Sequence, residues 1–195
     1  MDNEELTLFR DMAHRALEAE ISPHIEQWEA QHSVPRELWH TLGQAGLLCP
    51  DMPEEYGAAG TTPEVTFAVI EEMSRLGFGG IASGYSIHSN IVAPYIEHFG
   101  TEEQKSQWLP KMVTGEALGA LAMTEPSAGS DVQSIRTKAV KDGDEWILNG
   151  SKIFITNGML ADIVIVAAIT DPGKGAKGTS LFIVDATLPG FARGK

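Results

Sequence analysis

The sequence predicts an α+β fold, an all-α helical domain over residues 1–119 followed by an antiparallel, barrel-like β-domain over 120–195 that is incomplete at its C-terminal end. Three observations predict it. Up to about Gly119 apolar residues recur every three or four positions, the helical period. Beyond it they gather in short runs rich in Ile, Val, Thr and Phe, bounded by turn residues, and helices precede strands without the alternation of βαβ units. The charge divides at the same place: residues 1–120 hold 6 Lys and Arg against 19 Asp and Glu, and 121–195 hold 8 against 8, so the helical part carries the whole net charge of −13.

The elements follow in order. Leu6, Phe9, Ala13, Ala16 and Leu17 lie on one stripe of a first helix, with acidic and basic residues between them. Pro35 and Pro63 sit where a first helical turn begins, the latter behind Thr62 as an N-cap. Loops are expected over 49–62 and near 77–80, and the apolar segment 81–99 reads as a buried helix. Thr101-Glu102-Glu103-Gln104 is a capping box, so a helix should run through Trp108 to about Val113. Strands are expected over 120–123, 135–141, 145–149, 151–156, 163–169 and 179–184. Asp142-Gly143 and Asn149-Gly150 supply turns between them, the second as a two-residue hairpin. Pro172 to Gly178 is a Gly- and Lys-rich loop, and the chain ends on a Pro-Gly turn that leaves a sheet edge uncovered.

Composition narrows the function. Hydrophobic residues at 43% and charged residues at 21% are those of a globular protein, and no apolar run approaches the roughly 20 residues of a membrane span. The acidic surface repels nucleic acid and anionic membranes. Asp2, Glu4 and Glu5 are the reverse of a signal peptide's positive start, and Cys49 is the only cysteine. The expected location is therefore a reducing compartment, the cytoplasm or, for a processed eukaryotic protein, the mitochondrial matrix. The six histidines form no His-Glu-x-x-His pair and no metal site is expected; Gly-x-Ser-x-Gly, Gly-x-Gly-x-x-Gly and Walker patterns are absent.

Two blocks carry the chemistry. In residues 121–131 an apolar strand enters Ser-Ala-Gly-Ser-Asp, whose small side chains leave backbone N–H groups open to an anion such as phosphate. In residues 151–158 a segment containing Phe154 ends on Thr156-Asn157-Gly158. Ser130 is placed either to bond a phosphate or substrate carbonyl, or only to stabilise its own turn. Phe154 is either a core aromatic or a ring beside a flat cofactor, and extended parity would put Thr156 on its face. Glu125 invites the role of general base, but a carboxylate followed by proline in a turn more often holds backbone N–H groups or pairs with a basic neighbour.

At these blocks the sequence resembles the acyl-CoA dehydrogenase family. Ala122-Met123-Thr124-Glu125-Pro126-Ser127-Ala128-Gly129-Ser130-Asp131 is similar to the family's first signature, and the segment Asn149 to Gly158 to its flavin-contacting strand. Supporting matches run almost end to end: the segment Gly46 to Gly57, Phe99 to Lys105, Leu109 to Met112, and Leu181 to Val184. The segment Gly84 to Val92 further resembles long-chain members. The resemblance implies FAD lined by Leu121, Ala122, Met123, Thr124, Gly129, Ser130, Phe154, Ile155 and Thr156. Acyl-CoA would be met by Ser130, Ala176 and Lys177.

The family reaction removes the α-proton of an acyl thioester with a glutamate while the β-hydride moves to flavin N5. Electrons then pass to an electron-transfer flavoprotein. Family chains are about twice this length, the base lies in a C-terminal helical domain, and members are usually homotetramers. The expectation is thus a chain lacking that domain, with no catalytic residue of its own and no dehydrogenation alone. The alternatives are a non-catalytic binding or assembly module that keeps the fold, or an FAD-dependent oxidase.

Overall fold

In the computed structural model the chain forms two compact units, Met1–Leu118 and Gly119–Lys195. The structure describes residues 3–194, and Met1, Asp2 and Lys195 lie outside that description.

The first unit is helical: α1 (Asn3–Ile21), α2 (Ile25–Gln31), α3 (Arg36–Gln44), α4 (Pro63–Arg75), α5 (Gly79–Tyr85), α6 (Ala93–Phe99) and α7 (Glu102–Val113). Ala13, Leu17 and Ile21, spaced by four, bury one stripe of α1. On the flank of that stripe Arg10 bonds Glu71 and, at 3.0 Å, Glu72 of α4, while His14 Nδ1 lies 3.2 Å from Glu72. Pro63 opens α4 as expected, although the Thr62 side chain makes no cap bond. The capping box of α7 is complete: Thr101 N–H donates to Gln104 Oε1 at 2.9 Å, and Gln104 N–H to Thr101 Oγ1 at 3.3 Å.

The expected helix over 81–99 forms without a break, but its middle turns are wider. Between α5 and α6 residues Ser86–Val92 form a π-helix, whose wider turn lets polar side chains enter the core. Ser89 Oγ accepts the Cys49 N–H at 3.2 Å, and His88, fully buried, donates through Nε2 to the Met112 carbonyl at 3.0 Å. Burial pushes the Cys49 thiol up to about 12, so it is an inert core group.

The second unit holds β1 (Gly119–Ala122), β2 (Lys138–Asp142), β3 (Glu145–Asn149), β4 (Ile163–Ile169) and β5 (Thr179–Asp185) in one sheet. This sheet is mixed, which corrects the antiparallel expectation. β2–β3 and β4–β5 are antiparallel, but β4 pairs with β1 in parallel, Leu121 opposite Ile165, and meets β2 in parallel at Lys138 and Ile169. The excursion through 123–162 is long enough for the crossover that a parallel pair requires. β5 runs along one edge of β4, so β1 and the start of β2 share the other. β4 is buried over its first six residues, as a continuous Ile-Val-Ile-Val-Ala-Ala run predicts for a central strand.

Two further expectations fail for stated reasons. The segment 151–156 is not a strand, because Phe154 at φ 55° and Asn157 at φ 65° turn left-handed and break the extended repeat. Asn149-Gly150 is consequently no hairpin; β3 simply ends at Asn149. Gly150 is required by close approach: a Cβ built there would lie 2.2 Å from Thr137 Oγ1. The Asp142-Gly143 turn does join β2 to β3, with Gly143 at φ 60°. β2 begins at Lys138, later than expected, because a 3-10 turn over Val132–Ser134 precedes it.

Candidate functional site

The second sequence block is laced to β1 and the first block at three points. At one end the Asn157 side-chain amide donates to the Gly119 carbonyl at 3.1 Å. In the middle the Ile153 N–H donates to the Thr124 carbonyl at 3.0 Å. Beside it the Lys152 ammonium donates to the Met123 carbonyl at 3.0 Å and to Glu125 Oε1 at 2.8 Å. These bonds replace the missing ladder and fix an irregular segment against the end of β1.

Glu125 is the hub. Its backbone closes the Pro126-Ser127 turn by exchanging bonds with Ala128, N–H to carbonyl at 2.9 and 3.1 Å. Its carboxylate accepts the Arg136 N–H at 2.6 Å and the Thr137 N–H at 3.0 Å as well as Lys152. Burial alone would raise its pKa, but Lys152 and the backbone N–H groups outweigh that and hold it at about 2. A carboxylate so engaged and so acidic is a poor proton acceptor near neutral pH. Glu125 thus holds two backbone N–H groups and pairs with a basic neighbour, as the turn argument favoured.

The structure sorts the remaining expected residues. Ala122 is buried in the core with Ala120, Val164 and Val166, so only its backbone is available to a ligand. Ile155 packs on the same cluster, while Met123 packs on the other face of the sheet against Ala128, Ile135 and Ala167. Leu121, Thr124 and Thr156 are half-buried. Gly129 and Ser130 are exposed, and a Cβ added at Gly129 would meet nothing within 4 Å, so the backbone there is open. Ala176 and Lys177 lie exposed on a 3-10 turn, Gly175–Gly178, that packs against the Val132–Ser134 turn following Ser130.

Phe154 settles one alternative. It is 89% exposed, so it is no core aromatic, and it holds a left-handed φ that bulky residues rarely adopt. The parity that would align Thr156 with it does not apply to this bent segment.

Lys152, Asn157 and Gly150 were missed by sequence reasoning. The signal for Lys152 was the need of Glu125 for a cation, but its partner lay 27 positions away.

The donor set fits a flavin dinucleotide. An open Gly-Ser backbone suits a pyrophosphate, and an exposed aromatic ring suits a flat heterocycle. Residues 3–116 match the model of the acyl-CoA dehydrogenase N-terminal domain, and 120–195 that of the middle domain. The chain belongs to the acyl-CoA dehydrogenase family. It is 45% identical over 190 residues to the mitochondrial long-chain specific acyl-CoA dehydrogenase of Sus scrofa, covering 96% of this chain and 44% of that one. An acyl-CoA dehydrogenase from Geobacillus kaustophilus superposes with a TM-score of 0.94 at 46% identity, covering 100% of this chain and 51% of its own. A glutaryl-CoA dehydrogenase from Mycobacterium smegmatis, solved in complex with FADH2, superposes at 0.88 with 33% identity, covering 98% and 48%. The chain thus spans about half the length of these acyl-CoA dehydrogenases. Among its described residues no helix is long and apolar enough to cross a membrane.

Proposed function

We propose that this chain supplies the flavin-holding part of an FAD-dependent acyl-CoA dehydrogenase acting on saturated acyl-CoA thioesters, with an electron-transfer flavoprotein as acceptor. The observation that carries the reading is the lacing of the two blocks: it sets an open Gly129-Ser130 backbone and an exposed Phe154 on segments tied to the same strand end.

Bound FAD would supply the oxidising power. The protein residues bind and orient. Gly129 and Ser130 offer N–H and hydroxyl donors to the pyrophosphate, and Ser130 also reaches toward the acyl-CoA. Leu121, the Ala122 backbone, Met123, Thr124, Phe154, Ile155 and Thr156 surround the ring, with the Thr156 hydroxyl as a donor to its edge. Lys177, exposed beside Ala176, offers a cation to a phosphate of the coenzyme. The acid–base step falls to a glutamate outside residues 3–194, because Glu125 is committed to Lys152 and two N–H groups.

The test is made on the complete protein. It should purify yellow with stoichiometric FAD, and anaerobic addition of a long-chain acyl-CoA should bleach the flavin. A colourless protein, or a flavin left oxidised by saturated acyl-CoAs of every chain length, overturns the reading. Oxygen consumption in step with substrate would assign an oxidase instead.

A further inference from the structure

The peptide joining Met123 to Thr124 is held on both flanks. Its own carbonyl, that of Met123, accepts from the Lys152 ammonium at 3.0 Å, and the next carbonyl, that of Thr124, accepts from the Ile153 N–H at 3.0 Å. In a trans peptide the N–H points opposite to the carbonyl, so the Thr124 N–H faces away from Lys152. Among the described residues that N–H has no hydrogen-bond partner.

Lys152 cannot swing away. Its ammonium is also bound to Glu125 at 2.8 Å, and the Glu125 carboxylate is anchored by the N–H groups of Arg136 and Thr137. The pair is buried, with side chains 10% and 3% exposed. A buried ion pair is weak evidence of stabilisation, since apolar replacements often serve as well. Its distinctive effect is electrical: a cation bonded to a carbonyl draws charge through the amide and makes the N–H at the far end a stronger donor, and low dielectric enlarges the effect.

We propose that Lys152 is a positioning residue for the flavin ring, polarising the Met123–Thr124 peptide so that the Thr124 N–H acts as a charge-assisted donor to a ring acceptor and raises the reduction potential of bound FAD. This rests on the reading of the site as a flavin site. Glu125 serves by fixing the ammonium, and Lys152 itself touches no reacting atom.

The test measures FAD content and reduction potential, by equilibration with redox dyes, in the complete wild-type protein and in Lys152→Met, Lys152→Arg and Lys152→Gln. Lys152→Met should keep FAD, yet its oxidised-to-reduced ratio at a fixed dye potential should rise at least tenfold, about 30 mV for a two-electron couple. Lys152→Arg, which keeps the cation, should return the ratio to within about twofold of wild type. Equal potentials in wild type and Lys152→Met overturn the proposal and leave the functional reading intact. A wild-type protein that takes up no FAD overturns both. Where Lys152→Met does not fold, Lys152→Gln decides: a rise in the same ratio supports the proposal, and an unchanged potential overturns it.

Discussion

Glu125 and Lys152 stand 27 positions apart in sequence and 2.8 Å apart in the fold, with side chains 3% and 10% exposed. Replacing one partner leaves the other buried without its counter-charge, which costs about 3–5 kcal/mol. Glu125→Gln should therefore destabilise the protein by that order even though the amide fills the same space. Urea unfolding monitored by tryptophan fluorescence measures it; a loss below about 1 kcal/mol would mean that the pair is solvated in solution.

The same carboxylate makes stability depend on pH in a defined direction. Its pKa is about 2 in the fold against an ordinary 4.5, so its contribution is fully present above pH 4.5 and is lost as pH falls toward 2. The full contribution is about 3 kcal/mol, from the linkage of pKa to stability. The stability gap between wild type and Glu125→Gln should shrink by about 2 kcal/mol between about pH 6 and about pH 3. Denaturation series at the two pH values check this, and a constant gap would show that the carboxylate is not held ionised by the fold.

Gly150 and Gly143 stand in the two dipeptides that read alike as hairpin turns, and they should fail differently when substituted. A Cβ at Gly150 would lie 2.2 Å from Thr137 Oγ1 and 2.7 Å from Thr137 Cα, so backbone must move. Gly150→Ala should cost about 1–3 kcal/mol by overpacking, and Thr137→Ser should not rescue it because the clash with the Thr137 backbone persists. Gly143 has nothing within 4 Å but sits at φ 60°, so Gly143→Ala should lose only about 1 kcal/mol to its left-handed backbone. Thermal melts of the three proteins distinguish steric from conformational cost.

That contrast shows what local sequence carries. β4 was legible because six consecutive buried residues form one apolar run, and α7 because its capping box is written in four adjacent residues. The segment 151–156 was not, since Ile, Phe and Thr favour strands wherever a ladder is open to them. Here tertiary ties from Thr124, Met123 and Gly119 hold the chain instead. The parallel pairing of β1 with β4 and the π-helix at Ser86–Val92 depend likewise on interactions distant in sequence. Of the candidate site, the small-residue turn at Gly129-Ser130 was readable from residue types and Phe154 was left open between core and surface, but the Glu125–Lys152 tie was not readable.

Gly129 separates binding from folding. A Cβ added there meets nothing within 4 Å and the residue is exposed, so Gly129→Trp should change stability by no more than about 0.5 kcal/mol, as for other surface positions. In the complete protein the indole would occupy the space assigned to the pyrophosphate, and flavin retention should be lost. Spectroscopic FAD content together with a thermal melt of the FAD-free form gives both values. Unchanged flavin stoichiometry would move the dinucleotide away from this turn.

Thr156 tests the ring end of the site. Its side chain is half-buried and its hydroxyl makes no hydrogen bond among the described residues, so the fold does not require that hydroxyl. Thr156→Val keeps the shape and the β-branch, and should leave stability within about 1 kcal/mol. If the hydroxyl donates to the edge of the flavin, its loss removes a bond worth about 1.4 kcal/mol where charge builds during reduction, slowing flavin reduction about tenfold. Acyl-CoA affinity should change less, because the bound ligand is held mainly elsewhere. Stopped-flow bleaching under anaerobic conditions gives rate and affinity from one titration. An unaltered limiting rate would take Thr156 out of the chemistry, whereas a weakened affinity at constant rate would place it against the substrate.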